Sequence, residues 1–439
     1  MNIFLKLFKD QCTRRSSQNK FCKVSINLGV KIDMRILLLT QYFPPEKGAA
    51  QVRLWELAKG LRNQGNTVTV VTAFPNHPTG IIPDEYRGKV FTREDMEGIV
   101  VLRTCIYPVK RGRFWLRLLN YFSFVFSALL GICRSGPQDL IVVESPPLFI
   151  GFTAVITSFF KRAPYIFNVS DLWPESAVQL GLVTNKHLIG MCEWLERCFY
   201  RKAFKLSAQT QGIVEGLKKK GVKAEDILFL PNGVDTELFR PRPKDPVLEQ
   251  KLGLQGKYVI LYAGTMGYAH GIETALEAAD LLRAEPEIFF LFVGDGSERP
   301  RLEQIAREKD LPNVRFIDFQ PLEEIPRYYS LSSISLSTLR RYKLSEGVRP
   351  SKVFPAMASG QPLIYVGEGE GAEIVKESGG GVVLEPENPK ILAETVLSLK
   401  ADPETCKVLS EKGREYVIRH YSWDSIVRNW LEQLHLKKD

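Results

Sequence analysis

Arg349, Ser351 and Lys352 cluster in the segment SEGVRPSKVFPAMASGQPL, directly ahead of a short apolar run. The guanidinium fork of Arg349 and the point charge of Lys352 suit phosphate oxygens, and the unpaired amides of a helix start would add further donors. Two solvated loop cations are the plainer reading of the same residues. Pro355 restricts where the helix can begin. In a helix interior it would cost roughly 3 kcal/mol, whereas in the first turn its missing N–H has no partner to lose. The first turn is therefore expected around Pro355, with a diphosphate clamp just before it.

Four other loops place small or acidic residues where a ligand could be held. FPPEKGAAQ brings Gly48 and Ala49 to a helix mouth, close enough for backbone amides to meet a phosphate. GTMGYAHG offers Thr265, Gly267 and His270 in a similar turn; His270 is equally a helix cap or a surface group. VGDG sets Asp295 in ordinary Asp-Gly turn chemistry. NVSDLWPES carries Asp171 and Glu175 beside Trp173, carboxylates and an apolar ring suited to sugar hydroxyls and a sugar face, or merely capping groups. G-x-G-x-x-G is absent, so the dinucleotide fingerprint fails.

These loops follow apolar runs that read as strands. From Met34, strands are expected at 35–40, 67–72, 99–104, 139–144, 164–170, 205–210 and 227–232, with helical spacing between them. The proline-rich PNGVDTELFRPRPKDP reads as a linker. A second series follows at 258–264, 288–296, 314–319, 333–339, 362–367 and 381–386. Two α/β series of similar size predict two Rossmann-like doubly wound parallel-sheet domains facing a central cleft, with ligands outside the carboxyl ends of the strands. The expected boundaries are a dispensable extension at 1–33 without the apolar core of a signal peptide, a first domain at 34–230, a second at 247–415, and a C-terminal helix at 416–439.

The chain of 439 residues has a formal charge of +9, and residues 1–220 hold 31 Lys and Arg against 16 Asp and Glu. A polyanionic partner for the basic half is implied, whether membrane surface or phosphorylated substrate. Nucleic acid is disfavoured, because no recognisable module of interleaved basic and aromatic residues is present. Seven scattered cysteines support neither a disulfide framework nor a zinc site. The run GRFWLRLLNYFSFVFSALLGIC (112–133) follows basic residues and suits either a helix lying in an anionic membrane interface or a buried core helix.

Taken together, FPPEKGAAQVRLWELAKGL, DLWPES, LPNGVDTELFRP, YAGTMGYAHGIETALEAA, FVGDG and RPSKVFPAMASGQPLIY resemble retaining GT-B glycosyltransferases of family 4, nearest the N-acetyl-L-fucosaminyl transferase branch of O-antigen and capsule biosynthesis. The resemblance implies metal-independent, cofactor-free transfer from a nucleotide-diphosphate sugar, with a UDP-linked N-acetylated sugar expected. It also implies a polyprenyl-diphosphate-linked saccharide acceptor and a cytoplasmic enzyme peripheral to the inner membrane face. By this resemblance Lys352, Arg349 and Asp171 are catalytic. Gly48, Ala49, Thr265, Gly267, His270, Asp295, Glu346, Ser351, Glu370 and Glu373 bind donor, and Trp173 and Glu175 face acceptor. The C-terminal helix would cross back to the first domain. The chain departs from the family's Glu-x7-Glu pair, with Gly347 and Pro355 at those positions, and has Ser170 where a histidine is common. A catalytically silent homologue acting as a membrane-associated partner subunit is the alternative these departures raise.

Overall fold

The computed structural model describes residues 33–46, 48–77, 79–109, 114–173, 175, 185–341 and 351–435, excepting the side chains of Ala49, Phe114 and His435. Arg349 and Glu346 lie outside the described residues. The chain divides into two compact units. One holds residues up to 209, 213–230 and the chain from Val427 on; the other holds 210–212 and 231–426.

The first unit runs β1 (Arg35–Leu39), α1 (Ala49–Asn63), β2 (Thr67–Ala73), β3 (Phe91–Met96), β4 (Ile99–Thr104), α2 (Phe114–Arg134), β5 (Leu140–Ser145), α3 (Ile150–Lys161), β6 (Tyr165–Val169), α4 (Lys186–Lys202), β7 (Lys205–Ala208), α5 (Gln211–Lys219) and β8 (Ile227–Phe229). Its sheet has the order β3-β4-β2-β1-β5-β6-β7-β8. β1 is a near-continuous apolar run because helices cover both faces of a central parallel strand, and four of its five residues are buried. α2 and α3 pack one face of the sheet, where Phe124, Ala128, Ile150 and Ala154 meet Leu37, Val71 and Val143.

The sheet is not wholly parallel, a correction to the sequence expectation. β3 pairs antiparallel with β4, Met96 opposite Ile99. The intervening turn places Glu97 and Gly98 at φ 52° and 80°, the conformation a two-residue hairpin demands. A polar edge strand, FTREDM, has no buried face to give it an apolar signature.

The second unit runs α6 (Pro246–Leu252), β9 (Tyr258–Ala263), α7 (Glu273–Leu281), β10 (Ile288–Val293), α8 (Arg299–Glu308), β11 (Val314–Ile317), α9 (Ile325–Leu331), β12 (Ile334–Thr338), α10 (Val353–Ala358), β13 (Leu363–Val366), α11 (Glu370–Ser378), β14 (Gly381–Leu384), α12 (Pro389–Ala401) and α13 (Pro403–Tyr421). All pairings are parallel in the order β11-β10-β9-β12-β13-β14, the dinucleotide-fold order that reverses between β9 and β12. Local chemistry starts the last helices. Asn388 and Asp402 accept from the amides of Ile391 and Thr405, each followed by proline at the first helical position.

The segment expected as a linker packs on this second unit. Val234 and Phe239 are buried, and Phe239 meets the Tyr329 ring edge-on at 6.0 Å. The last helix, α14 (Trp423–His435), begins in the second unit and passes into the first from Val427. There Trp430, fully buried, donates from Nε1 to Ser207 Oγ at 3.2 Å, and Gln433 accepts from the Phe229 amide at 3.0 Å.

Candidate functional site

In the second unit the loops after β9 and β10 touch through glycine. A Cβ on Gly294 would lie 2.1 Å from the Gly264 carbonyl oxygen, and both residues have φ in the region that favours glycine, 141° and 144°. This closeness leaves the carboxyl end of β9 without side-chain cover, and Lys352 fills it. Its Cε lies 2.6 Å from where a Gly264 Cβ would be, and its Nζ stands 5.0 Å from the centroid of the Tyr262 ring. Burial, which strips the ammonium of water, pulls Lys352 down to about pKa 7.

His270 belongs to the same cluster. Its Nδ1 lies 3.1 Å from the Gly267 amide nitrogen and 3.2 Å from the Gly267 carbonyl oxygen, so the ring is fixed to the backbone of that turn. Burial first, and the Lys352 charge second, lower its pKa to about 4, so it is neutral at physiological pH. The carbonyl of Thr265, an exposed residue, accepts from the Tyr262 hydroxyl at 2.6 Å. Asp295 joins through its carbonyl, which accepts from Met266 at 2.8 Å, while its carboxylate accepts from the Gly296 amide at 2.8 Å. The structure thus gathers Lys352, Thr265, Gly267, His270 and Asp295 on one sheet edge beside the strand-order reversal.

Ser351 is exposed immediately before Lys352. Pro355 is the third residue of α10, inside the first turn, so it costs the helix no bond. Glu370 and Glu373 open α11 after β13, Glu370 buried and Glu373 exposed. They share the carboxyl edge with Lys352 but stand beyond β12 in the sheet order.

Arg340 escaped the sequence reading. It follows β12, pairs with Glu273, and stacks its guanidinium 4.2 Å from the centroid of the exposed Tyr268 ring. The signal available was its position just past an apolar strand.

In the first unit Gly48 caps α1 with extended backbone, its space occupied by buried Gln51. Glu46, also missed, accepts from the amides of Asn76 and His77 at 2.8 Å each, joining the loops after β1 and β2. Burial raises its pKa against the pull of those amides. Asp171 is exposed at the exit of β6, and Trp173 packs edge-on to Phe149 at 6.1 Å. Glu175 pairs at 2.7 Å with Lys220, which also grips buried Glu196 at 2.6 Å. Beneath them lies a buried polar network. Arg53 donates to Glu144 and, at 3.0 Å, to Ser170 Oγ; Asn168 donates to Glu144 at 2.6 Å. The Gln209 amide oxygen, turned toward Arg53, accepts at 2.9 and 3.0 Å. Among the described residues no three His, Cys, Asp or Glu side chains are grouped to hold a metal ion.

The described residues include one helix long and apolar enough to cross a membrane, within α2, and a third of that stretch is buried in the first unit. Its outer face carries Trp115, Leu119 and Phe126, exposed by 74%, 47% and 69%.

Residues 48–233 match the family described as glycosyl transferase 4-like domain, and residues 245–416 match glycosyl transferases group 1. A putative colanic acid biosynthesis glycosyl transferase, WcaI of Escherichia coli (strain K12), is 27% identical over 91% of this chain and 100% of its own length. The probable glycosyltransferase WbjE of Pseudomonas aeruginosa is 26% identical over 62% of this chain and 69% of its own. Among solved structures, sucrose-phosphate synthase from Thermosynechococcus elongatus superposes with TM-score 0.68 at 19% identity, over 92% of this chain and 98% of its own. HepE of Anabaena in complex with UDP-glucose does so with TM-score 0.65 at 18% identity, over 92% and 99%. These likenesses show the fold, the two-sheet GT-B architecture.

Proposed function

Because the chain is a glycosyltransferase built of a 4-like domain followed by a group 1 domain, we propose that it moves a sugar from a nucleotide-diphosphate donor held by the second unit to a lipid-linked saccharide held by the first. The pathway is cell-surface polysaccharide biosynthesis, the context named for WcaI, which aligns over its whole length. A UDP-linked N-acetylated sugar is the proposed donor, in keeping with the UDP complexes of the HepE neighbour.

The observation that carries this reading is Lys352, a cation held over the Tyr262 ring at the carboxyl end of β9 with its charge poorly solvated. An arriving diphosphate would restore full protonation and satisfy it. As the glycosidic C–O bond breaks, negative charge grows on the diphosphate, and side-chain cations fixed in place stabilise it without reorganisation. The reading is metal-independent and configuration-retaining: the departing diphosphate accepts the proton of the attacking hydroxyl on the same face of the sugar. His270 and Ser351 would meet phosphate oxygens, and Arg349 would complete the clamp. Asp171 and Glu175 would orient acceptor hydroxyls, with Trp173 beside the sugar. The exposed apolar face of α2 and the basic first half support a protein bound peripherally to an anionic membrane, on the cytoplasmic side. A silent partner subunit is not favoured, since both transferase domains are present and WcaI aligns over its whole length.

Titration calorimetry with UDP and GDP on the wild type and Lys352→Ala tests the donor site. Binding lost in the variant is expected; equal affinity in both would remove Lys352 from it. Mass spectrometry of polyprenyl-linked glycans in cells with and without the gene identifies the product.

A further inference from the structure

A groove of 440 Å³ opens on the first unit at the carboxyl ends of β2 and β4. That size lies in the range of small-molecule pockets, roughly 300–1,000 Å³. Its floor is Phe74 and Tyr86, buried rings tilted by 32° with centroids 5.2 Å apart, and its lining continues through Cys105, Ile106 and Pro108. Tyr86 is backed by buried Arg103, which bonds Glu94 at 2.7 Å, so the floor is rigid. Ile81 of the lining is exposed by 48%, and Val90 and Tyr107, chain neighbours of lining residues Lys89, Ile106 and Pro108, by 57% and 49%.

Two cations share the rim. Lys89 has no ion-pair partner among the described residues, and Arg87 pairs only with exposed Asp84, at 2.7 Å. A pair so exposed is worth little and exchanges readily for a phosphate. The groove is also continuous with α2. The Tyr107 amide donates to Ser123 Oγ at 2.8 Å, and Asn120 Nδ2 donates to the Tyr107 carbonyl at 2.7 Å, one residue from exposed Leu119. Glu46, which braces the loop after β2, links the groove to the loop after β1.

We infer that this groove seats the isoprenoid units next to the diphosphate of a polyprenyl-diphosphate anchor, with Lys89 and Arg87 meeting the anionic head. The inference rests on the reading of the acceptor as lipid-linked. A purely apolar ligand leaves the two rim cations unused, and a soluble saccharide leaves exposed Ile81 and Pro108 without an apolar partner. A prenyl diphosphate uses both.

The test is photolabelling of the full chain with geranylgeranyl diphosphate bearing a terminal diazirine, followed by peptide mapping. Adducts within 74–108 are expected, with labelling at least tenfold lower in Ile81→Glu and at least threefold lower in Lys89→Glu. Both substitutions sit at exposed positions, and thermal melting confirms that each variant folds. Adducts confined elsewhere, or labelling unchanged in both variants, overturn the proposal. Equal labelling by the phosphate-free geranylgeranyl alcohol overturns the role of the cations. The probe carries no sugar, so labelling reads the groove whether or not transfer occurs. Transfer to a water-soluble acceptor without a prenyl chain reads the transferase whether or not the groove binds lipid.

Discussion

Lys352 Nζ rests 5.0 Å from the centre of the Tyr262 ring, with its stem laid across Gly264. The ring face offers partial compensation for lost water, yet burial still brings the ammonium down to about pKa 7. In the unfolded chain it would titrate near its ordinary 10.5. Between those values the unfolded state binds more protons, so this group makes the unliganded protein more stable as pH rises from 7 toward 10. On the proposed reading, diphosphate binding would restore the charge and take up a proton above pH 7. Nucleotide affinity is therefore expected to fall between pH 7 and 9, by up to about tenfold per unit. Calorimetry in buffers of differing ionisation enthalpy reads the proton uptake directly; affinity flat across that range would contradict it.

Arg53 and Glu144 form an ion pair whose side chains are both more than nine-tenths buried. Removing one partner strands the other charge, at about 3–5 kcal/mol. Arg53→Met and Glu144→Gln should each lower the unfolding free energy of the first unit by that order, read as a lower denaturant midpoint at unchanged slope. The double substitution should cost less than the sum, and strict additivity would mean that the two do not act as a pair.

Trp430 fills a slot in the first unit and donates to Ser207. Trp430→Ala should destabilise that unit by about 3–5 kcal/mol. Trp430→Phe, which retains most of the ring but not the bond, should cost nearer 1 kcal/mol. Equal effects would place the energy in the hydrogen bond instead of the packing.

Pro355 occupies the first turn of α10, half-buried, at a position where a residue with an amide loses no helical bond either. If the position lines the donor ribose, Pro355→Glu should tighten UDP binding, lowering KM for the donor with little change in kcat. A KM that stays put would remove this position from the nucleotide pocket.

The two sheets were legible because their central strands are covered on both faces and read as unbroken apolar runs. β3 was not, since an edge strand such as FTREDM carries no buried stripe and its Glu-Gly turn lacks the Asn-Gly signature. Lys352 was legible for a local reason: a cation just before a helix is visible in a few adjacent letters. Arg53 and Glu144 are 91 residues apart and meet only because β1 and β5 lie side by side. No spacing rule announces such a pair. Arg340 fell between these cases, since its place past β12 was readable but its stack on Tyr268 was not.

The passage of α14 from one unit to the other has a consequence for synthesis. Every described strand of the second unit lies between Tyr258 and Leu384, so that sheet can close while the last helix is still being made. The first unit, begun earlier, waits for Trp430. Amino-terminal domains usually finish first as the chain leaves the ribosome; this one receives its last buried side chains from the end of the chain. Proteolytic trimming or a stalled ribosome near the carboxyl terminus would damage the half of the protein made first.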